Sequence, residues 1–237
     1  MKKNKFKIKI FADGADISSI KKLSKNKLID GFTTNPSLMK AAGVKNYLKF
    51  AQNLSKTVKN KPVSLEVFSD HLVEMKSQAV KLGKISNNFN IKIPITNSKG
   101  LSTAKLIKEL SADGVVCNVT AIFTLDQIKF LMKHLPKNTN IILSVFAGRI
   151  ADTGYDAEKL IRKIKKFLKP YKNAKILWAS TREVFNIIQA QRCGCNIITV
   201  PYNILEKLKD LGKSQKKFSL ETVKMFKEDA IKAGFSI

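Results

Sequence analysis

One lysine and two acids stand beside apolar runs, where a charged side chain is costly to bury. Lys92 lies between two isoleucines, Glu66 ends an aliphatic run, and Asp13 follows residues 8–12. Burial favours the neutral form of a lysine, which forms a Schiff base with a carbonyl. A carbon–carbon bond of a ketose then breaks once a base takes a hydroxyl proton, and Asp13 is the candidate acid and base. A buried lysine–carboxylate pair of structural importance alone is the alternative.

Other polar side chains along the chain suit a sugar substrate. Glu66 and Thr120 could hold a water molecule between them for the proton transfers of imine formation. Asn35 and Asn118 carry amides that hydrogen-bond sugar hydroxyls. These types favour an enzyme acting on a polyhydroxylated carbonyl compound.

Arginine is rare in a chain that otherwise uses lysine freely. Only four of the 44 basic residues are arginines, and Arg149 and Arg182 come just after predicted strands. Because guanidinium groups bind phosphate oxygens in a planar fashion, these two predict a phosphate site in loops at the strand ends. Ordinary surface cations are the alternative.

Eight apolar or β-branched segments alternate with eight amphipathic segments, which predicts an α/β fold. The strands are predicted at residues 7–12, 31–33, 62–68, 90–95, 114–119, 141–146, 175–179 and 196–200. The helices are predicted at residues 16–25, 37–59, 70–86, 98–111, 124–135, 157–168, 182–192 and 204–211. Eight such pairs in 237 residues predict a closed (β/α)8 TIM barrel.

No Gly- or Pro-rich linker divides the chain, so residues 1–237 are predicted to form one barrel domain. A ninth helix follows at about residues 219–233, and its apolar stripe is expected to pack on the barrel or on a neighbouring subunit.

Alternation along each strand decides which side chains point to the barrel axis. The aliphatic residues of each strand share one face and pack against the helices, so the polar residues between them face inward, towards the carboxyl ends of the strands. The residues predicted to face inward are Asp13, Glu66, Lys92, Asn118, Thr120, Ser144, Phe146 and Ser180.

Composition argues against several other classes of protein. The net charge is +26, but its lysines are scattered, without the arginine and aromatic clusters typical of nucleic-acid-binding proteins. A basic nucleic-acid-binding protein on a degenerate barrel is a remote alternative. No apolar run approaches the ~20 residues that a membrane helix needs, and no signal sequence is evident. Three cysteines and two histidines favour neither a disulfide framework nor a zinc site, so we expect a cytoplasmic protein without a metal.

Seven sequence motifs stand in order along the chain. They are Phe11-Ala12-Asp13-Gly14-Ala15-Asp16, Thr33-Thr34-Asn35-Pro36-Ser37-Leu38, Glu66-Val67, Ile91-Lys92-Ile93-Pro94, Cys117-Asn118-Val119-Thr120-Ala121-Ile122-Phe123, Ser144-Val145-Phe146-Ala147-Gly148-Arg149 and Ala179-Ser180-Thr181-Arg182. Together these motifs resemble the transaldolase family, including its short members and the related fructose-6-phosphate aldolases, over residues 8–202.

The resemblance implies a class I barrel enzyme that needs no metal or other cofactor. It implies that Lys92 forms the Schiff base, that Asp13 is the acid and base, and that Glu66 and Thr120 hold the water. Asn35 and Asn118 match sugar-contacting amides. Four residues match positions near the acceptor phosphate: Ser144, Arg149, Ser180 and Arg182.

The activity that the resemblance implies is transfer of a dihydroxyacetone unit between phosphorylated sugars. The expected reaction converts sedoheptulose 7-phosphate and glyceraldehyde 3-phosphate to erythrose 4-phosphate and fructose 6-phosphate, in the pentose phosphate pathway. Short members of the family form rings of subunits through the terminal helix, which implies a homo-oligomer.

Two positions favour transfer over release of dihydroxyacetone. The aldolase branch of the family carries glutamine at the position of Glu66 and tyrosine at that of Phe146. A departure from the usual motifs is Thr181, where phenylalanine is commoner. An aldolase-like lyase and a transaldolase specialised for sugar biosynthesis are the alternatives.

Overall fold

Eight parallel strands close into a barrel in the computed structural model, which describes residues 6–236. Each strand pairs with the next along the chain, and the eighth pairs with the first. The strands are β1 (Lys9–Asp13), β2 (Gly31–Thr33), β3 (Val63–Glu66), β4 (Phe89–Pro94), β5 (Cys117–Ile122), β6 (Ile141–Val145), β7 (Ala174–Trp178) and β8 (Ile197–Pro201). The predicted (β/α)8 barrel is confirmed.

The helices surround this barrel and connect its strands. They are α1 (Ile17–Ser24), α2 (Pro36–Ala41), α3 (Tyr47–Thr57), α4 (Leu72–Gly83), α5 (Ala104–Ala112), α6 (Leu125–Lys133), α7 (Ala147–Asp152), α8 (Ala157–Phe167), α9 (Phe185–Cys193), α10 (Tyr202–Glu206) and α11 (Gln215–Lys232). None of the helices between residues 6 and 236 has the length and apolarity that a bilayer crossing requires.

Two apolar layers hold the barrel together. The larger lies between strands and helices and contains the outward-facing aliphatic residues, such as Ile91 and Ile93 on β4. The smaller fills the barrel axis with Phe11, Ile142, Leu177, Ala179 and Ile197, and Phe146 packs against it. Because apolar side chains fill this part of the axis, the polar inward residues lie above them, near the carboxyl ends of the strands.

Strand register places the charged residues side by side. Glu66 on β3 pairs with Lys92 on β4, and Lys92 pairs with Asn118 on β5. Strand β2 lies on the other side of β3 from β4, and its Thr33 pairs with Asp13 on β1. Alternation in these strands therefore predicted the inward residues correctly.

The structure corrects several helix boundaries. The helix predicted at residues 37–59 is two helices, because Gly43 takes a left-handed φ of 70° and the Asn46 side chain begins α3 by accepting the Lys49 N–H. The helix predicted at residues 204–211 is α10 followed by a 3₁₀ turn. Helix α7 was not predicted, so Arg149 lies on a short helix and not in a loop.

The strand parity predicted for Ser180 is wrong, although the residue does line the carboxyl end of the barrel. Leu177 and Ala179 carry the inward positions of β7, while Trp178 packs in the outer layer. Ser180 follows the strand in a left-handed conformation, with φ 63°, which turns the chain back over the barrel mouth.

Candidate active site

Lys92 is buried in the barrel with two oxygen partners. Its Nζ donates to Glu66 Oε2 at 2.9 Å and to the backbone oxygen of Thr34 at 2.7 Å. The Lys92 side chain is 9% exposed and that of Glu66 is 17% exposed, so this ion pair lies largely out of solvent. An isolated buried ammonium would be unstable, and the carboxylate and the carbonyl offset that cost.

Asp13 is the second buried acid of the site. Its Oδ1 accepts a hydrogen bond of 2.6 Å from the Thr33 hydroxyl. Burial raises the pKa of Asp13 above its ordinary value, even though Lys92 and the Thr33 hydroxyl act in the opposite direction. A raised pKa makes the carboxylate a stronger base, which suits a group that takes and returns protons.

Thr120 carries a buried hydroxyl without a protein partner. Among residues 6–236, no group hydrogen-bonds its Oγ1. Thr120 pairs in register with Pro94, two residues beyond Lys92 on β4. A buried hydroxyl in this position is available to a substrate or a water molecule, since an unsatisfied polar group is costly.

The two predicted amides are held differently. Asn35 caps α2 with its side-chain oxygen, which accepts the Leu38 N–H at 2.9 Å. Asn118 is fully buried, accepts from the Ser144 hydroxyl at 2.6 Å and donates to the Ser64 hydroxyl at 3.0 Å. Asn118 thus fixes the rotamer of Ser144, and its direct contact with a sugar stays a prediction.

The predicted phosphate side is built from α7 and the loop after β7. The Arg149 guanidinium lies 5.8 Å from the centre of the Phe146 ring, and Phe123 packs on the same ring at 5.7 Å. The Arg182 guanidinium binds Asp152 on α7, with an N–O distance of 2.5 Å. This arginine lowers the pKa of Asp152 below its ordinary value.

A close backbone approach joins these two segments. A Cβ placed on Gly148 would lie 1.6 Å from the backbone oxygen of Ser180, which no side chain tolerates. Glycine is therefore required where α7 passes the loop that carries Arg182.

One cavity of about 450 Å³ at the carboxyl ends of the strands brings the predicted residues together. Every predicted site residue except Asn118 lines it: Asp13, Asn35, Glu66, Lys92, Thr120, Ser144, Phe146, Arg149, Ser180 and Arg182. The cavity leaves room for a sugar phosphate beside the Lys92–Glu66 pair.

Sequence reasoning missed five polar residues at this site. Asp152 binds Arg182 at the edge of the cavity, and four others line it: Thr33, Ser37, Thr181 and Thr199. Thr33 faces inward on β2, but that strand has only three residues, too few to show an alternating pattern in the sequence. Residues 6–236 hold no group of three or more His, Cys, Asp or Glu side chains placed to bind a metal ion.

Comparisons with known proteins match most of the chain to one family. The family model for transaldolase/fructose-6-phosphate aldolase matches residues 10–237. A probable transaldolase of Nitrosopumilus maritimus is 37% identical over 204 residues, which cover 85% of this chain and 87% of that protein. A probable transaldolase of a Thermoanaerobacter species is 34% identical over 236 residues, which cover 97% and 100%.

Solved structures support the architecture. Thiamine phosphate pyrophosphorylase of Pyrococcus furiosus superposes with a TM-score of 0.56 at 10% identity, covering 82% of this chain and 85% of that chain. A 2,3-dimethylmalate lyase superposes with a TM-score of 0.56 at 12% identity, covering 97% and 95%. Identities this low show a shared fold and nothing about the reaction.

Proposed function

Because this chain belongs to the transaldolase/fructose-6-phosphate aldolase family, we propose that it transfers a dihydroxyacetone unit from a ketose phosphate to an aldose phosphate through a Schiff base on Lys92. The family and the names of its relatives support a transferase-type enzyme. The observation that carries the proposal is the placement of the Lys92 amino group in a sugar-sized cavity, in contact with Glu66 and facing Asp13.

Imine formation begins at the Lys92–Glu66 pair. Glu66 takes a proton from the ammonium group across 2.9 Å, and the neutral amine attacks the C2 carbonyl of the ketose. The nitrogen–carbon bond forms while one amine proton passes to the carbonyl oxygen, which becomes a hydroxyl. Protonated Glu66 then returns its proton, and this hydroxyl leaves as water. The Thr120 hydroxyl, which has no partner among the described residues, orients that water.

Asp13 then performs the carbon–carbon bond cleavage. It removes the proton of the C4 hydroxyl, the C3–C4 bond breaks, and the bonding electrons flow into the iminium group as an enamine. The aldose leaves, an acceptor aldose enters, and Asp13 returns the proton as the new bond forms. The raised pKa of Asp13 suits this role, because it makes Asp13 a stronger base than an ordinary aspartate and lets it hold the proton until the new bond forms.

The cationic edge of the cavity suits the phosphate of the sugars. Arg149 and Arg182 line it together with the hydroxyls of Ser144 and Ser180. Charge-assisted hydrogen bonds from guanidinium groups to phosphate supply binding at a distance from the reacting carbons. Binding there raises the chance that C2 meets Lys92 in a reactive orientation.

Phe146 favours transfer over hydrolysis of the enamine. Its ring packs on the apolar cluster of the barrel axis and against Phe123, and it offers no hydroxyl proton to the enamine carbon. The enamine therefore survives until an acceptor aldose arrives. The sugar pair of the pentose phosphate pathway is the proposed substrate set.

We also propose that a second copy of this chain covers α11. None of the residues of α11 is buried, and six of its large apolar side chains are about half exposed or more: Phe218, Leu220, Val223, Met225, Phe226 and Ile231. A helix that exposes this much apolar surface is stabilised by a partner subunit. Sedimentation of the wild type against Phe226→Glu tests this, and a monomeric wild type contradicts it. The cytoplasmic location stays a prediction.

Borohydride trapping tests the central proposal. Reduction of the protein in the presence of fructose 6-phosphate is expected to fix a three-carbon or six-carbon adduct on Lys92, located by mass spectrometry of peptides. Lys92→Arg is expected to give no adduct, whereas Lys76→Arg, on the surface, serves as the matched control. Labelling elsewhere, or none in the wild type, contradicts the proposal. Erythrose 4-phosphate as acceptor then separates transfer from release of free dihydroxyacetone.

A further inference from the structure

Two threonines form a hydrogen-bonded chain that ends on Asp13. The Thr33 hydroxyl lies 2.6 Å from Asp13 Oδ1, and the Thr199 hydroxyl lies 2.5 Å from the Thr33 hydroxyl. Thr33 and Thr199 are both buried, at 3% and 5% exposure. The two hydroxyls and the carboxylate therefore form one hydrogen-bonded chain that is shielded from solvent.

Strand topology explains how residues far apart in sequence meet. Thr33 is the register partner of Asp13 on β2, and Thr199 on β8 is the register partner of Phe11, two residues below Asp13 on β1. All three point into the barrel, so Thr199 reaches Thr33 across the inner face of β1. The Thr181 hydroxyl donates to the backbone oxygen of Thr199 at 2.6 Å and holds β8 in place.

The donor count fixes the direction of this chain when Asp13 is ionised. Each threonine hydroxyl has a single proton, and a carboxylate only accepts. Thr33 must therefore donate to Asp13, and its oxygen accepts the proton of Thr199. A hydroxyl that accepts a hydrogen bond becomes a better donor, so Thr199 strengthens the bond that stabilises the carboxylate.

We infer that Thr199 is a positioning residue which tunes the proton affinity of Asp13 through Thr33, without touching the reacting atoms itself. This inference rests on the proposed function only for its kinetic consequence. Strand β8 thus takes part in the acid–base step through Thr199.

The other charged and titratable groups around Asp13 are the same with and without the Thr199 hydroxyl. Lys92 on β4 and Glu66 on β3 face Asp13, and the Tyr202 phenol on α10 is close enough to interact electrostatically with it. Burial raises the pKa of Tyr202 above its ordinary value, so the phenol stays neutral across the working range. A change in the titration of Asp13 on removing the Thr199 hydroxyl therefore reports the hydroxyl chain.

The test is a direct titration of Asp13 in three variants. With ¹³C-labelled aspartate, NMR follows the Asp13 carboxyl, assigned by its loss in Asp13→Asn. Thr199→Val removes the hydroxyl and keeps the shape, and we expect the midpoint to rise by about 0.3 to 0.5 pH unit. Thr199→Ser keeps the hydroxyl and should restore the wild-type midpoint. Thr103→Val removes a buried hydroxyl that lies outside this chain and bonds the Pro94 carbonyl, and it should leave the midpoint in place.

Kinetics provide the second readout. The acidic limb of kcat/KM should move upward by the same amount in Thr199→Val, whereas the rate of borohydride trapping at Lys92 should stay at the wild-type value, because imine formation does not use Asp13. An unchanged Asp13 midpoint in Thr199→Val, or an equal shift in Thr199→Ser, overturns the inference.

The NMR titration needs no turnover, so it separates this inference from the proposed function. If the wild type forms no imine, the proposed function is wrong, and the NMR titration still tests the hydroxyl chain. If Thr199→Val does not fold, Thr199→Ala provides the same titration with the hydroxyl absent.

Discussion

Replacement of Gly148 by alanine is the sharpest test of how α7 and the loop after β7 are joined. The added Cβ would lie 1.6 Å from the Ser180 oxygen, whereas ordinary contacts between such atoms are near 3.5 Å. The two segments must therefore separate by roughly 2 Å. The loop has little freedom to yield, because Ser180 already has a left-handed φ of 63°.

The expected loss of stability follows from this overlap. Forcing a methyl group into packed backbone costs about 3 kcal/mol, and in a protein of this size each kcal/mol lowers Tm by roughly 3 °C. Gly154→Ala is the matched control, since Gly154 has a φ of 80° with no atom within 4 Å of its would-be Cβ. Its cost is the strain of a left-handed alanine alone, about 1 kcal/mol.

Urea unfolding of the two variants measures this difference. Gly148→Ala should also weaken binding of phosphorylated sugars, because Arg149 follows the displaced residue and Arg182 lies in the displaced loop. We expect a raised KM for the aldose phosphate in Gly148→Ala and a wild-type KM in Gly154→Ala. If Gly148→Ala unfolds at the same urea concentration as Gly154→Ala, the close approach described above does not exist.

Four further substitutions test the site. Lys92→Arg should abolish turnover in a coupled assay with little change in Tm, because a guanidinium cannot form the imine. Residual turnover in this variant would show that a residue other than Lys92 forms the Schiff base. Arg182→Ala should raise KM for aldose phosphates about tenfold with a smaller effect on kcat, and equal affinity for the phosphate would place that group elsewhere. Asp152→Asn should lower the same KM a few-fold, because it releases Arg182 from a competing carboxylate, and an increase would show that Asp152 holds Arg182 in its binding position. Asp13→Asn should abolish turnover and yet stabilise the fold at pH 7. The folded pKa of Asp13 is raised, so the wild type loses stability as pH rises from the ordinary aspartate value through that folded pKa. Urea unfolding at pH 4 and pH 7 measures this, and an advantage that shrinks with rising pH contradicts it.

The barrel and its inward residues were predictable because both depend on short-range patterns. Alternation along a strand is a property of the backbone, so aliphatic neighbours were enough to place Lys92 and Glu66 on the axis. Eight strand–helix pairs then predicted a closed barrel, and the register of that barrel places Lys92 and Glu66 on adjacent strands.

Features that depend on contacts between distant segments were not predictable. Strand alternation gave the wrong parity for Ser180, because Leu177 and Ala179 hold the inward positions of β7. Ser180 lines the cavity because the left-handed turn after the strand redirects the chain. Helix α7 begins without a side-chain cap at Phe146, so no local signal announces it. The Arg182–Asp152 pair and the Thr199–Thr33 contact join strands and loops whose distance only the closed barrel determines.

The Lys92–Glu66 pair combines the two interpretations that its residue types allowed. As an ion pair it carries no net charge, so Lys92 stays buried, at 7% exposure, among apolar neighbours.

The same charge balance serves the proposed reaction. An ammonium group and a ketone give an iminium group and water, so the positive charge beside Glu66 is present before and after, and the carboxylate only lends and recovers a proton. A glutamine in this position would make no ion pair and could accept no proton. Expressed as free energies, the loss of borohydride trapping rate in Glu66→Gln should therefore exceed the loss of stability measured by urea unfolding. The opposite order would show that the pair is structural alone.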